Sequence, residues 1–346
     1  MGVIGLGMIS DAHLVGILNS DDAELLAICD SSERNLHAKG DELGIPASLR
    51  FTHYEDLLRH PDIDAVSICT PNVSHFAIAD EAIRCGKPFA LEKPVSLDLR
   101  EATMLRERAK AHGVTNIVCF SYRYKSAVRY AKWLIDHGKL GQINHIYSQY
   151  LQSWSIPEDL PLVWRFQKSL SGSGALGDLG SHILDLTRFL IGDVVEVAAH
   201  AGTIVRTRRL IDEAGTGEVD VDDFCNVLAM LEGGVSSTMA ISRFAYGKGN
   251  YQQLQIYGTK GALIYELDDE DVLYLNLEGH EGGFRKVSIP ESFRADQMQS
   301  FFDILNEKGD GLSATLEDGY VNQQTIEAII ESHTRKQWIS LHNEEE

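Results

Sequence analysis

The first 118 residues alternate short apolar segments with amphipathic stretches, and this pattern constrains the fold more than any other feature of the chain. The apolar segments are nearly unbroken and lie at residues 1–5, 23–29, 65–69, 89–91 and 116–120. Helical patterns separate them, for example at residues 10–19, 80–85 and 99–112. Strands buried on both faces and joined by helices form parallel sheets. The sequence therefore predicts a doubly wound α/β domain over residues 1–118.

The pattern changes after about residue 121. A helical segment at 127–137 precedes a strand-like segment at 143–150, and two pairs of alternating segments then flank glycine-containing turns at 232–234 and 258–261. Alternating strands around such turns favour an antiparallel sheet. We therefore predict an α+β second domain over 119–346. Its C-terminal helix, at 315–333, is expected to pack back on the first domain.

Composition disfavours several classes of partner. The chain carries 31 Lys and Arg residues against 51 Asp and Glu residues, a net charge of −20. Such a field repels nucleic acids and anionic lipids, and no apolar run approaches the ~18 residues of a membrane span. The five cysteines are scattered and never form C-x-x-C, which favours reduced thiols in a cytoplasmic protein and no metal site.

A glycine-rich turn follows the first strand. Gly5, Gly7 and Ser10 fit the pattern G-x-G-x-x-small, in which the residues allow a tight turn, close approach of a pyrophosphate and close helix packing. The pattern is weak alone, but Asp30 ends the second strand about 20 residues later, where a carboxylate accepts hydrogen bonds from a ribose. A plain glycine turn with a helix-capping Asp is the alternative. We predict a Rossmann domain whose turn, with Met8 and Ile9, binds a dinucleotide.

The residues after the second strand bear on the choice of cofactor. The charge of Asp30 disfavours a 2′-phosphate, and Ser31 adds no cation. Arg34 is the nearby cation that leaves NADP open. The sequence favours NAD.

Polar residues follow two further strands of the predicted parallel sheet. Thr70, Asn72 and His75 follow one strand, and Glu92 and Lys93 follow the next. Ligands of doubly wound sheets bind beyond the carboxyl ends of the strands, so these five residues are candidate cofactor contacts. A histidine without a role at a helix start and a solvated surface lysine are the alternatives.

A third cluster lies on a helical pattern from residue 178 to 190. Asp178, His182 and Asp185 fall on one stripe beside an apolar face, whereas Ser181 and Arg188 lie where a solvated face is expected. An Asp–His pair at this spacing is consistent with helix stabilisation, with a metal pair that lacks a visible third ligand, or with general acid–base chemistry. Asp185 has no clear role and fits a structural residue.

These motifs resemble those of the Gfo/Idh/MocA oxidoreductase family, a group of glucose–fructose oxidoreductase and inositol dehydrogenase type. The resemblance rests on the glycine turn, Cys69-Thr70-Pro71-Asn72 with His75, Gly86-Lys87-Pro88, Glu92-Lys93-Pro94 and Asp318-Gly319. It implies a Rossmann domain, a second domain with a largely antiparallel open-faced sheet, and a nicotinamide cofactor. It also implies that Lys93, Asp178 and His182 are catalytic and bind the substrate. The segments that line the substrate pocket in the family correspond here to Tyr122, Arg123, Trp154, Trp164 and Arg165, each of which is also consistent with a residue that touches no ligand.

The expected function is oxidation of a secondary hydroxyl on a cyclic polyol or sugar. His182 is the expected base, Lys93 stabilises the alkoxide, and Asp178 orients the substrate or the His182 ring. Two alternatives stay open at this stage: a glycoside hydrolase that oxidises its substrate transiently with bound NAD, and a cofactor-binding regulator without activity. A homodimer or homotetramer is expected from the family.

Overall fold

The structure is a computed structural model that describes residues 1–211, 214–279 and 281–341. In the described residues the strands are β1 Gly2–Ile4, β2 Ala27–Cys29, β3 Arg50–Phe51, β4 Val66–Ile68, β5 Phe89–Leu91, β6 Asn116–Val118, β7 Ile143–Leu151, β8 Val194–Gly202, β9 Thr207–Arg209, β10 Thr216–Glu218, β11 Phe224–Leu231, β12 Val235–Ser242, β13 Tyr251–Gly258, β14 Gly261–Leu267, β15 Asp271–Leu277, β16 Arg285–Lys286 and β17 Ile339–Ser340. The α-helices are α1 Ser10–Leu18, α2 Glu33–Glu42, α3 Tyr54–Arg59, α4 His75–Arg84, α5 Leu99–His112, α6 Ser126–Asp136, α7 Lys168–Ser171, α8 Ser181–Leu190, α9 Gln297–Leu305 and α10 Leu316–Arg335.

The chain divides into two compact units. The first unit contains Met1–Ser121 and Ala295–Gln323, and the second contains Tyr122–Arg294 and Gln324–Glu346. This division differs from the prediction, which places the whole of 119–346 in the second domain. The segment 295–323 belongs with the first unit because Met298 and Phe301 of α9 are buried in one apolar core with Ile17.

The first unit is the predicted doubly wound domain. Its six strands are all parallel, in the order β3-β2-β1-β4-β5-β6. The order reverses between β1 and β4, and ligands of such sheets bind at this reversal, beyond the carboxyl ends of the strands. β1, β2, β4 and β5 are buried along their length, as expected of strands covered on both faces.

Local sequence signals explain where the helices begin and end. Asp98 accepts a hydrogen bond from the Glu101 amide before α5, and Gly113 ends α5 in the left-handed conformation. The structure therefore confirms the predicted helix at 99–112. β2 is shorter than the predicted segment 23–29, and α4 begins at His75 rather than at residue 80.

The second unit is built on a sheet of nine described strands. Their order is β16-β15-β14-β13-β7-β12-β11-β8-β17, and only the pair β7–β12 is parallel among these neighbours. The predicted hairpins are β11–β12 and β13–β14. Alternate residues of β12 are buried, and α6 and α8 contact the same sheet. This sheet confirms the expected largely antiparallel second domain with one open face.

No helix in the described part of the chain is both long enough and apolar enough to cross a membrane.

Candidate active site

The glycine turn has the backbone that its motif predicts. Gly5 has φ +89°, and a Cβ there would lie 2.8 Å from the carbonyl carbon and oxygen of Cys69. A side chain is therefore excluded on two grounds, conformation and space. Gly7 is exposed, and a Cβ there would meet no atom within 4 Å. The protein itself does not require glycine at position 7, which is consistent with space kept for a ligand.

Asp30 closes the turn from the second strand. Its Oδ2 accepts the Leu6 amide and its Oδ1 accepts the Ser32 amide, both at 2.8 Å. A carboxylate has about four acceptor sites, so two backbone bonds leave capacity for ribose hydroxyls. Four predicted cofactor contacts around this turn are exposed, and they are Met8, Ile9, Ser31 and Arg34.

The ends of β4 and β5 carry the next predicted residues. The hydroxyl of Thr70 is buried and has no hydrogen-bond partner among the described residues. Asn72 and Glu92 are buried, and Lys93 is half-buried. A buried hydroxyl that the protein does not satisfy, next to an open glycine turn, fits a site that binds a polar ligand such as a dinucleotide.

His75 differs from its prediction as a cofactor contact. The ring is fully buried, with Nδ1 2.7 Å from the Pro94 carbonyl and Nε2 2.8 Å from the Thr70 carbonyl. Burial lowers the pKa of His75 against the effect of these two carbonyls. Both ring nitrogens therefore lie within hydrogen-bond distance of a backbone carbonyl, and His75 connects the segment after β4 to the segment after β5.

A buried polar network in the first unit was not predicted. His13 of α1 contacts Ser67 of β4 through Nδ1 at 2.6 Å and Glu92 through Nε2 at 3.0 Å. The available signal was a histidine on α1, three residues after Ser10, among apolar residues that pack in the core. Periodicity alone does not identify its partners, which lie 54 and 79 residues away.

In the second unit a π-helical turn, Leu176–Gly180, precedes α8. Both Asp222 carboxylate oxygens accept amides of the preceding loop, from Gly174 and Leu176 at 2.8 Å. A Cβ on Gly174 would lie 1.9 Å from the Asp222 carbonyl oxygen, so this loop requires glycine. Such turns concentrate at functional sites, and this one carries Asp178.

The helical stripe is placed differently from its prediction. His182 and Asp185 are buried, as expected for residues beside the apolar face, but Ser181 is also fully buried. The predicted solvated face at Ser181 is therefore wrong. The reason is packing, since α8 contacts both β7 and α6 and is covered along most of its length.

Two tyrosine rings lie against the His182 ring within the second unit, and amide side chains bind the tyrosine hydroxyls. The Tyr122 ring meets it edge-on, with centroids 4.6 Å apart, and the Tyr150 ring lies at 6.1 Å. The Tyr122 and Tyr150 hydroxyls are 2.7 Å apart, and Asn250 Oδ1 accepts from the Tyr150 hydroxyl at 2.6 Å. Gln152 Nε2 donates to Asn250 Oδ1 at 2.8 Å. Tyr150, Gln152 and Asn250 were missed because their distance from His182 along the chain hides the cluster.

The predicted substrate residues Arg123 and Trp154 make internal contacts. Arg123 binds Asp185 through Nε and Nη2, with N–O distances of 2.6–3.1 Å, and both side chains are buried. This ion pair accounts for Asp185 as the structural residue that its pattern suggested. Trp154 packs on Phe166, with ring centroids 5.5 Å apart. Both side chains therefore have a role in packing that needs no ligand.

Trp164 and Arg165 lie closer to the candidate chemistry. The Arg165 guanidinium stacks on the Trp164 ring at 4.3 Å, and its Nε lies 3.8 Å from Asp178 Oδ2. Each of these three side chains retains some exposure. The cation of Arg165 lies between Asp178 and the aromatic face of Trp164. This combination suits a hydroxylated ligand.

Comparison with known proteins identifies the family. Residues 1–120 match the model of the oxidoreductase family with an NAD-binding Rossmann fold, and residues 128–264 match the GFO/IDH/MocA C-terminal domain. Levoglucosan dehydrogenase from Pseudarthrobacter phenanthrenivorans is 30% identical over 381 residues, covering 99% of this chain and 97% of that protein. The chain belongs to the GFO/IDH/MocA family. This GFO/IDH/MocA protein is an NAD(P)-dependent oxidoreductase with an NAD-binding domain, as the motifs indicated.

Further relatives of this GFO/IDH/MocA chain are similar along most of their length. Myo-inositol 2-dehydrogenase from Thermotoga maritima is 26% identical, over 92% of this chain and 91% of that protein. A levoglucosan dehydrogenase structure in complex with NADH and levoglucosan superposes with a TM-score of 0.90 at 28% identity, covering 99% of both chains. The fold and the NAD cofactor are therefore confirmed.

Proposed function

We propose that this protein oxidises a secondary hydroxyl of a cyclic polyol or sugar of the inositol, aldose or anhydrosugar type. The observation that carries the proposal is the setting of His182, whose ring abuts Tyr122 beside a row of hydroxyl and amide groups. Such groups suit a ligand with several hydroxyls. The names of the full-length relatives, which include levoglucosan and myo-inositol dehydrogenases, support the same substrate class.

The proposed mechanism assigns roles to the cofactor and to three residues. Bound NAD supplies the hydride acceptor. His182 takes the hydroxyl proton as a general base, and the Tyr122 ring packs edge-on against it. Lys93 stabilises the developing alkoxide with its charge. Asp178 orients the substrate or the His182 ring, and Arg165 lies beside it.

The test is NADH formation with a panel of levoglucosan, myo-inositol and common aldoses. His182→Asn and Lys93→Met are each expected to lower kcat by about 10²–10⁴, the usual size of an acid–base contribution. The exposed residues His112 and Lys110 provide matched controls, and His112→Asn and Lys110→Met are expected to keep wild-type rates. If both active-site variants keep full turnover, the assigned roles are wrong. Turnover of a glycoside without net NADH would instead indicate the hydrolase alternative.

We further propose NAD as the preferred physiological cofactor and the cytoplasm as the location. The Asp30 carboxylate, fixed by two backbone amides, supports NAD because its charge repels a 2′-phosphate. All five cysteines are free, which supports a reducing compartment. Parallel assays with NAD and NADP test the first proposal, and subcellular fractionation of the native host tests the second.

The open face of the nine-stranded sheet supports self-association as a homodimer or homotetramer. Tyr147 and Leu228 are about half exposed on strands whose alternate residues are buried. Light scattering coupled to gel filtration measures the mass of the 38.4 kDa chain in solution. We expect Tyr147→Glu with Leu228→Glu to reduce the assembly. A wild-type chain that is monomeric at assay concentrations contradicts the proposal.

A further inference from the structure

A buried ion pair connects the helix of the glycine turn to the strand end that carries Lys93. His13 lies on α1, and Glu92 directly follows β5. We propose that His13 is a positioning residue, which fixes the Glu92 carboxylate and through it the backbone at Lys93 for the reaction. This inference rests on the proposed function, because it takes Lys93 as a participant in catalysis.

The contacts form a continuous path, which we call the His13–Glu92 latch. His13 Nε2 lies 3.0 Å from Glu92 Oε1, and the other carboxylate oxygen accepts the Lys93 backbone amide at 3.2 Å. His13 Nδ1 lies 2.6 Å from the Ser67 hydroxyl on β4. The Glu92 amide donates to the Ile68 carbonyl at 3.0 Å, which anchors Glu92 to the same strand. The ring is therefore held at both nitrogens, and the carboxylate at both oxygens.

The opposite charges of His13 and Glu92 strengthen the hydrogen bond between them. Burial disfavours a charged His13, but Cys69 and Glu92 outweigh burial and raise the pKa of His13 well above 6.5. Burial likewise opposes the Glu92 charge, but His13, followed by Lys93 and His75, lowers the Glu92 pKa below 4.5. Cys119 also faces the pair. A charge-assisted hydrogen bond is shorter and stronger than a neutral one, so the carboxylate has little freedom.

A metal site is the competing interpretation of the same residues. His13, Glu92 and Cys119 place possible ligand atoms within 4.8 Å of one another. However, both His13 nitrogens already contact protein oxygens, and burial raises the pKa of the Cys119 thiol well above 9.0. A histidine that ligates a metal must be neutral, and a ligating cysteine must be a thiolate. The observed contacts therefore favour a hydrogen-bonded ion pair rather than a metal site.

The test compares His13→Leu, which removes the latch, with His13→Gln, whose amide can still donate to Glu92. We expect His13→Leu to lower kcat by about 10²-fold, because small misplacement of a reacting group costs rates of this order. The KM for substrate and the NAD affinity measured by calorimetry should change little. His13→Gln should recover much of the lost kcat. Without any substrate, hydrogen exchange at the Lys93 amide should be faster in His13→Leu.

Asp80→Asn is a matched control for a buried ion pair of the first unit. Asp80 is buried on α4 and binds Arg84 and Arg108 rather than a residue of the latch, so this variant should lose stability and keep kcat. If the His13 variants match Asp80→Asn in both respects, His13 has only a structural role and the inference is wrong. A stoichiometric metal in the wild-type protein that is lost in His13→Leu also overturns it. Lys93→Met, assayed alongside, separates the two proposals. If Lys93→Met keeps turnover, the role proposed for Lys93 is wrong. If Lys93→Met loses turnover and the His13 variants keep it, only the role proposed for His13 is wrong.

Discussion

Replacing Arg123 by methionine removes one side of a buried ion pair in the second unit. Arg123 Nε lies 3.1 Å and 2.9 Å from the two Asp185 oxygens, and its Nη2 lies 2.6 Å from Oδ1. The two side chains are only 5% and 2% exposed, so Arg123→Met leaves a carboxylate that water cannot reach. Charge-assisted hydrogen bonds contribute about 1.5–3 kcal/mol each, and breaking a buried pair costs about 3–5 kcal/mol. We expect the free energy of unfolding of the second unit to fall by about 3–5 kcal/mol.

The assay is chemical unfolding followed by tryptophan fluorescence. All four tryptophans, Trp133, Trp154, Trp164 and Trp338, lie in the second unit, so this signal reports that unit separately from the first. The separation matters because a chain of two units need not unfold in one step. Circular dichroism of the same samples follows both units together.

A double variant and a control sharpen the interpretation. Arg123→Met with Asp185→Leu removes both charges, and it should cost clearly less than Arg123→Met alone, because it does not leave a buried carboxylate that has lost its arginine. Arg188→Met breaks a pair with Asp193 whose side chains are 25% and 28% exposed, and it should cost less than about 1 kcal/mol. An Arg123→Met protein with wild-type stability and a raised KM for substrate would refute the reasoning. That result would return Arg123 to the substrate pocket.

Three further predictions concern the first unit. Gly5→Ala should lower both the stability and the affinity for NAD, because the new Cβ would clash with Cys69. Gly7→Ala should weaken NAD binding and leave the melting temperature unchanged, because its Cβ meets no protein atom within 4 Å. Calorimetry measures the affinity, and thermal unfolding measures the stability. Asp30→Ala should lower kcat/KM for NAD and increase the relative use of NADP, and an unchanged cofactor ratio contradicts this. The stability difference between wild type and His13→Gln should be largest between about pH 4.5 and 6.5. It should shrink as the pH rises through the raised pKa of His13 or falls through the lowered pKa of Glu92, and a difference that grows above pH 6.5 refutes the ion pair.

The elements that the sequence predicted are those with local signals. Asp98 and Gly113 mark the two ends of α5, and the residues between them carry the helical pattern. The glycine turn is equally local, since Gly5 needs its positive φ wherever the neighbouring strand lies. The two sheet types followed from alternation and from turn glycines. Helix starts without a capping signal, such as that of α4 at His75, were placed less accurately.

The partners of buried polar groups were decided by the tertiary structure. His75 was predicted to face a cofactor, and its two ring nitrogens lie against backbone carbonyls instead. Arg123 was predicted to face a substrate, and it binds Asp185, which is 62 residues away. The segment 295–323 joined the first unit for a similar reason, since its apolar residues fit that core. In each case the local sequence pattern is the same whichever partner the residue meets, so the pattern could not predict the partner.

By itself the sequence determined the parallel sheet, the dinucleotide turn and the positions of Lys93, Asp178 and His182 along the chain. These follow from side-chain periodicity and from backbone conformations that only glycine adopts readily. The tertiary structure alone decided that His13 pairs with Glu92 and that Tyr122 meets Tyr150 and Asn250. Periodicity records that a side chain is buried, but not which group it meets. The protein interior solvates charge poorly, so a buried polar group is stable only where packing brings a hydrogen-bond partner close to it.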